Sequence, residues 1–171
     1  MSILYRIMKK RIGVIGSDGK IPAYVERISE CIGTHIAKNG CILICGGRGG
    51  VIEACARAAR KKKGTVVGIL PTLDKKEANA YVDIPITTGL SHARNALVVA
   101  CSDAVIVVNG RVGTLSEIGL ALCYDRPVIA VKGSGGVADS VEEKIKDMGI
   151  VNKVYTTKAE NAVPLALSLI K

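Results

Sequence analysis

Two glycine-rich stretches hold the residues that could do chemistry. Residues 46–50, GGRGG, set Gly46, Gly47, Gly49 and Gly50 around Arg48, and residues 110–117, GRVGTLSE, set Gly110, Arg111, Gly113 and Thr114 ahead of Glu117. Glycine leaves no side chain between backbone and ligand. Where such a turn opens a helix, N–H groups and the positive end of the helix dipole converge on one spot, which is the chemistry of phosphate binding. Two readings meet at Glu117. Thr114-Leu115-Ser116-Glu117 fits a capping box, in which Thr114 caps the helix and Glu117 reaches back to the Thr114 N–H; alternatively, Glu117 is a carboxylate kept for a reacting ligand. Arg94 bears on the choice, because at helical spacing it shares a face with Leu97, Val98 and Cys101 that should be buried. A charge there needs a partner or a bound anion, unless it snorkels from the first turn of its helix.

These residues need a frame that delivers both turns to one place. Residues 104–108, AVIVV, are a continuous β-branched run suited to a strand covered on both faces. From there the period changes, and Leu115, Ile118, Gly119, Leu122 and Cys123 predict a helix over 114–124. Further strands are expected at 11–17, 41–45, 64–70, 126–131 and 153–156, with 81–87 an edge strand because of Pro85. Helices are expected at 22–38, 51–60, 91–101 with Ser91 as cap, 137–148 and 159–170, and residues 72–80 read as a polar loop. Strand and helix alternate throughout, which implies an α/β fold with a doubly wound, mostly parallel sheet, helices on both faces, and ligand loops at the strand C-termini. An ordinary dinucleotide site is not expected. The first strand leads into Gly13-x-x-Gly16-x-x-Gly19, and the second ends in Ile44, Cys45 and Gly46, where a ribose-binding acid would stand.

Composition narrows the classes. The chain has 171 residues, 49% of them hydrophobic, enough for one domain over 1–171 with a good core. Residues 1–7 read as a tail, with Met8 an alternative start. No apolar run is long enough for a membrane span, and the first residues lack the apolar centre of a signal peptide, so a cytoplasmic protein without a membrane partner is expected. The six cysteines form no CxxC pair and have no nearby histidine, so they read as reduced core residues, and no metal site is expected. The net charge of +9 favours an anionic ligand. Without Trp or Phe, and with only five Tyr, the chain offers few rings for stacking bases, which argues against nucleic acid.

Taken in order, GGRGGVIEA, TGLSHARNALVV and GRVGTLSEIGLAL resemble the Lonely Guy (LOG) superfamily, and within it the branch near molybdenum-cofactor carrier proteins. The likeness covers nearly the whole chain. It implies a Rossmann-like homodimer that needs no cofactor, with residues 91–101 and 114–124 as the interface. The family's enzymes cleave the N-glycosidic bond of nucleoside 5′-monophosphates, releasing base and ribose 5-phosphate. Carried over, the catalytic arginine falls on Arg94, the catalytic glutamate on Glu117, and the phosphate-binding positions on Gly113 and Thr114. Asn109 stands in place of a proline, Arg111 of a glycine, Ser91 of a methionine and Asn95 of a lysine, and the ARN triplet is typical of the carrier-like branch. The resemblance therefore implies a phosphorylated small molecule, either a nucleoside monophosphate to be hydrolysed or a pterin phosphate to be held without chemistry. Asn95, Arg111 and the glycines of both loops complete the expected ligand set. A third reading, nucleic-acid handling by analogy with DNA-processing Rossmann domains, has charge alone behind it.

Overall fold

A computed structural model describes residues 8–150 and 153–170; the expected tail at 1–7 lies outside them. Seven parallel strands form one sheet in the order β4-β3-β2-β1-β5-β6-β7: β1 (Arg11–Gly16), β2 (Ile42–Cys45), β3 (Thr65–Leu70), β4 (Ile84–Thr87), β5 (Ala104–Val108), β6 (Val128–Val131) and β7 (Val154–Thr157). Strand β1 pairs with β2 on one side, Ile12 beside Leu43, and with β5 on the other, Ile12 beside Ala104. Chain order reverses there, so the loops that leave β1 and β5 diverge and open a crevice between them.

Side chains of successive strand residues point to opposite faces, and the core divides accordingly. Ala104, Ile106 and Val108 of β5 join Val25, Ile32 and Ile36 of α1 (Ala23–Lys38), Val51 and Cys55 of α2 (Val51–Lys61), and Ala162 and Val163 of α6 (Ala159–Leu169). Val105 and Val107 join Val98 and Val99 of α3 (Asn95–Ala100), Ile118 and Ala121 of α4 (Val112–Cys123), and Val141 and Ile145 of α5 (Val141–Asp147). The expected doubly wound sheet with helices on both faces is thus the observed one. No helix among the described residues is long and apolar enough to cross a membrane.

Four local expectations need correction. Helix α4 begins at Val112 rather than at Thr114, with extended Arg111 at its N-cap and no side-chain cap. Left-handed Asn109 and Gly110 complete the turn immediately after β5, so the helix starts two residues early. Residues 91–101 are not one helix. Ser91–Arg94 is a 3-10 turn, and Ser91, at φ 49°, caps nothing, while the α-helix begins at Asn95. The extended segment at 81–87 pairs only over Ile84–Thr87, at the sheet edge as Pro85 requires. The helix expected at 137–148 is a 3-10 turn, Gly136–Asp139, followed by α5.

Candidate functional site

The crevice between the β1 and β5 loops measures about 690 Å³, within the range of about 300–1,000 Å³ usual for small-molecule sites. Of the residues singled out in the sequence, Gly46, Gly49, Arg94, Asn95, Arg111, Gly113, Thr114 and Glu117 line it. Gly47, Gly50 and Gly110 lie behind it, supporting other segments. A Cβ at Gly50 would come within 2.2 Å of the Ser17 carbonyl oxygen, and one at Gly110 within 2.6 Å of the Thr114 side chain.

Asn109 locks the loops after β1, β5 and β6 together. Its Oδ1 accepts from Ser17 Oγ at 2.7 Å and from the Gly110 N–H at 2.8 Å. Its own N–H donates to Ser134 Oγ at 2.8 Å, and its Nδ2 to the Ser134 carbonyl at 2.7 Å. The turn delivers the first-turn N–H groups of α4 to the crevice, where no intrahelical acceptor exists for them and none of the described residues supplies one. At the start of α2 the situation differs. The Val51 N–H donates to the Ser17 carbonyl at 3.0 Å and the Gly49 N–H to the Asp18 carboxylate at 3.1 Å. The loop ahead of α2 thus has its Gly49 and Val51 N–H groups engaged, whereas the Ile52 and Glu53 N–H groups, like those that open α4, have no acceptor among the described residues.

Thr114 and Glu117 do not form the capping box. Thr114, buried in the third position of α4, packs beneath Gly110. Glu117 is only 8% exposed and sits on the crevice wall. Burial pushes its carboxyl from the ordinary 4.5 up to about 7, against the pull of Arg94. Arg94 ends the 3-10 turn ahead of α3 and is half-buried, and the face expected for it is not a uniformly buried one, since Val98 and Val99 fill the core while Leu97 stays 38% exposed. Its guanidinium lies over Gly46, where a Cβ would come within 2.6 Å of Nη1. Burial lowers its pKa, and Glu117, the second cause, raises it. Each group feels the other's charge, yet no hydrogen bond or ion pair joins them. Asn95 bridges α3 to α4, its Nδ2 donating to Ser116 Oγ at 3.4 Å.

Sequence reasoning missed Ser17, Asp18, Arg48, Thr72 and His92, which also line the crevice. Asp18 had a readable signal, since it follows the first strand at the expected reversal of strand order. A larger cavity of about 1260 Å³ lies at the other end of the sheet. There Asp103 is bound by Arg11 and Asp125 by Lys153, so its carboxylates are engaged by cations, whereas in the crevice, among the described residues, Asp18 accepts only backbone N–H groups and Glu117 has no ion pair.

The sequence matches the SLOG cluster4 family over residues 9–163. The chain belongs to that family. This is the LOG-like grouping expected from the three motifs. An uncharacterized protein of Archaeoglobus fulgidus is 46% identical to this SLOG protein, over 71% of this chain and 80% of that one. A cytokinin riboside 5′-monophosphate phosphoribohydrolase of Mycobacterium tuberculosis is 33% identical, over 64% of this chain and 65% of the enzyme, so the match leaves about a third of that enzyme uncovered. Among solved structures, the molybdenum cofactor binding protein of Rippkaea orientalis superposes with a TM-score of 0.87 at 35% identity, covering 96% of this SLOG chain and 99% of that one.

Gly113 offers a direct probe of the site. A Cβ there meets nothing within 4 Å, so a side chain can be introduced, and the branched one of valine would occupy space in front of the N–H groups that open α4. If phosphate binds at this helix start, Gly113→Val should abolish any rise in melting temperature on adding AMP, while helix propensity favours the variant by a few tenths of a kcal/mol. Survival of the AMP-induced rise would show that phosphate binds elsewhere.

Proposed function

We propose that this protein hydrolyses the N-glycosidic bond of nucleoside 5′-monophosphates. One observation carries the reading: a buried carboxylate and an unpaired guanidinium share a crevice with the open N-terminus of α4, near enough to interact and too far apart to neutralise each other. Phosphate takes the first-turn N–H groups of α4 and Arg94. The ribose then lies beside Glu117. As the C1′–N bond breaks, its electron pair leaves with the base and positive charge develops on the sugar. Ionised Glu117 stabilises that charge and accepts a proton from the water whose oxygen bonds to C1′, and that proton passes on to the nitrogen of the departing base, which leaves neutral. The likeness to the Mycobacterium enzyme supports this reading.

A second reading, binding without chemistry, draws on the likeness to the molybdenum cofactor binding protein. Its ligand is a pterin phosphate, held by the same N–H groups and Arg94. The experiment that separates the two incubates purified protein with AMP or GMP and measures free base, beside a Glu117→Gln control. Base released by the wild type and not by the control supports hydrolysis; nucleotide bound but never cleaved leaves the carrier reading.

The functional unit in either case is a homodimer. Val112 is 82% exposed, Leu115 47% and Leu97 38%, a patch on α3 and α4 beside the crevice that a second copy would cover. Light scattering at micromolar concentration should return twice the chain mass, and a monomer there would refute the assignment.

A further inference from the structure

We propose that Asp18 is a further ligand-binding residue of the crevice, the acceptor for the hydroxyl pair of a ribose, and that it selects ribonucleotides over their 2′-deoxy counterparts. This rests on the nucleotide reading above.

Asp18 follows β1 at the reversal of strand order. Its Oδ1 accepts the Gly19 N–H at 2.8 Å and the Gly49 N–H at 3.1 Å, so one oxygen is held by the main chain of two loops. Those loops interlock. The Val51 N–H bonds to the Ser17 carbonyl, and a Cβ at Gly50 would press on the Asp18 backbone at 3.0 Å. The place of the carboxylate is therefore set by backbone, while Oδ2 receives no hydrogen bond from the described residues and the group lines the crevice.

An ionised carboxylate only accepts hydrogen bonds and repels phosphate, so the part of the ligand that meets Asp18 is a neutral donor. The carboxylate is bonded to Gly49, in the same glycine loop as Gly46, over which the Arg94 guanidinium lies, so it stands on the side of the crevice where Arg94 would hold phosphate. Adjacent ribose hydroxyls are the donors available on that side. In dinucleotide-binding sheets this acceptor commonly stands after the second strand. Here Ile44, Cys45 and Gly46 occupy that position, and Asp18 brings the acid in from the neighbouring strand.

Asp18→Asn separates this role from a structural one. The amide oxygen still accepts from Gly19 and Gly49, while the free arm turns from acceptor to donor. Because loss of a negative charge strengthens binding of any phosphate, the readout is the ratio of AMP to 2′-deoxy-AMP affinity, measured by calorimetry in the wild type and in the Glu117→Gln background. The wild type should prefer AMP by about tenfold or more, the scale of a hydrogen bond to a charged group. In Asp18→Asn the ratio should fall to within about twofold. Gly49→Ala, whose Cβ would stand 3.1 Å from Asp18 Oδ1, should narrow the ratio by displacing the carboxylate. A preference that persists in Asp18→Asn, or equal affinity of the wild type for both nucleotides, overturns the assignment and leaves the nucleotide reading standing. If neither nucleotide binds the wild type, that reading falls too.

Discussion

Glu117→Gln should bind nucleotide about as well as the wild type and turn it over at least about a hundredfold more slowly, the scale of removing one preorganised electrostatic group. The same substitution should make the protein more stable at alkaline pH. In the folded state the carboxyl holds its proton up to about 7, against an ordinary 4.5. The stability this contributes is fully present below about 4.5 and is lost as pH rises through 7, because ionising a buried group favours the unfolded chain. At about 1.4 kcal/mol per unit, the loss is on the order of 3 kcal/mol. Glutamine never ionises, so at pH 8 the variant should melt roughly 6–12 °C above the wild type, whereas at pH 4 the two should coincide. For the reaction, kcat/KM of the wild type should climb with pH and level off above about 7. That midpoint sets Glu117 apart from the substrate phosphate, whose second ionisation lies near about 6. Unchanged turnover would remove the catalytic role; equal melting at pH 8 would remove the burial argument.

Arg94→Ala should weaken AMP binding by about ten- to a hundredfold, the value of charge-assisted hydrogen bonds. A second consequence distinguishes Arg94 from a remote cation. Its charge is what opposes the burial of Glu117, so without it the carboxyl moves further up and the rising limb of kcat/KM shifts to higher pH. Arg94→Lys should restore part of the charge effect and little of the affinity, since an ammonium lacks the planar fork that grips phosphate. Gly46→Ala should imitate Arg94→Ala in part, because the added methyl occupies the space of the guanidinium. An AMP affinity that is unaffected by Arg94→Ala would place phosphate out of its reach and undo the proposed geometry.

Much of this molecule was legible without coordinates. The β-branched runs at 104–108 and 64–70 and the apolar stripe of 22–38 report which faces are buried, and burial repeats with the period of the element, so strands, helices and their alternation can be read locally. Reading failed where a short-range signal had more than one physical outcome. Thr114-x-x-Glu117 is a good capping box in isolation, yet the left-handed turn at Asn109 and Gly110 starts α4 at Val112 and turns both side chains to other uses. Arg94 reads from the sequence as a cation on the face of Leu97, but that reading assumes one continuous helix where a 3-10 turn intervenes.

The sequence by itself determined the parallel doubly wound sheet, the two glycine loops at strand ends and the presence of Arg94 and Glu117 near them, because each is written in local periodicity or residue type. Tertiary structure alone decided which of those groups remain free to act. Gly49 and Val51 lose their N–H groups to Ser17 and Asp18, residues more than thirty positions earlier, whereas the first turn of α4 keeps its donors. The same packing buries Glu117, holds Arg94 near it without contact and brings Asp18 into the crevice. Hydrogen-bond satisfaction and desolvation depend on distances between segments far apart in the chain, and those distances exist only once the sheet has assembled.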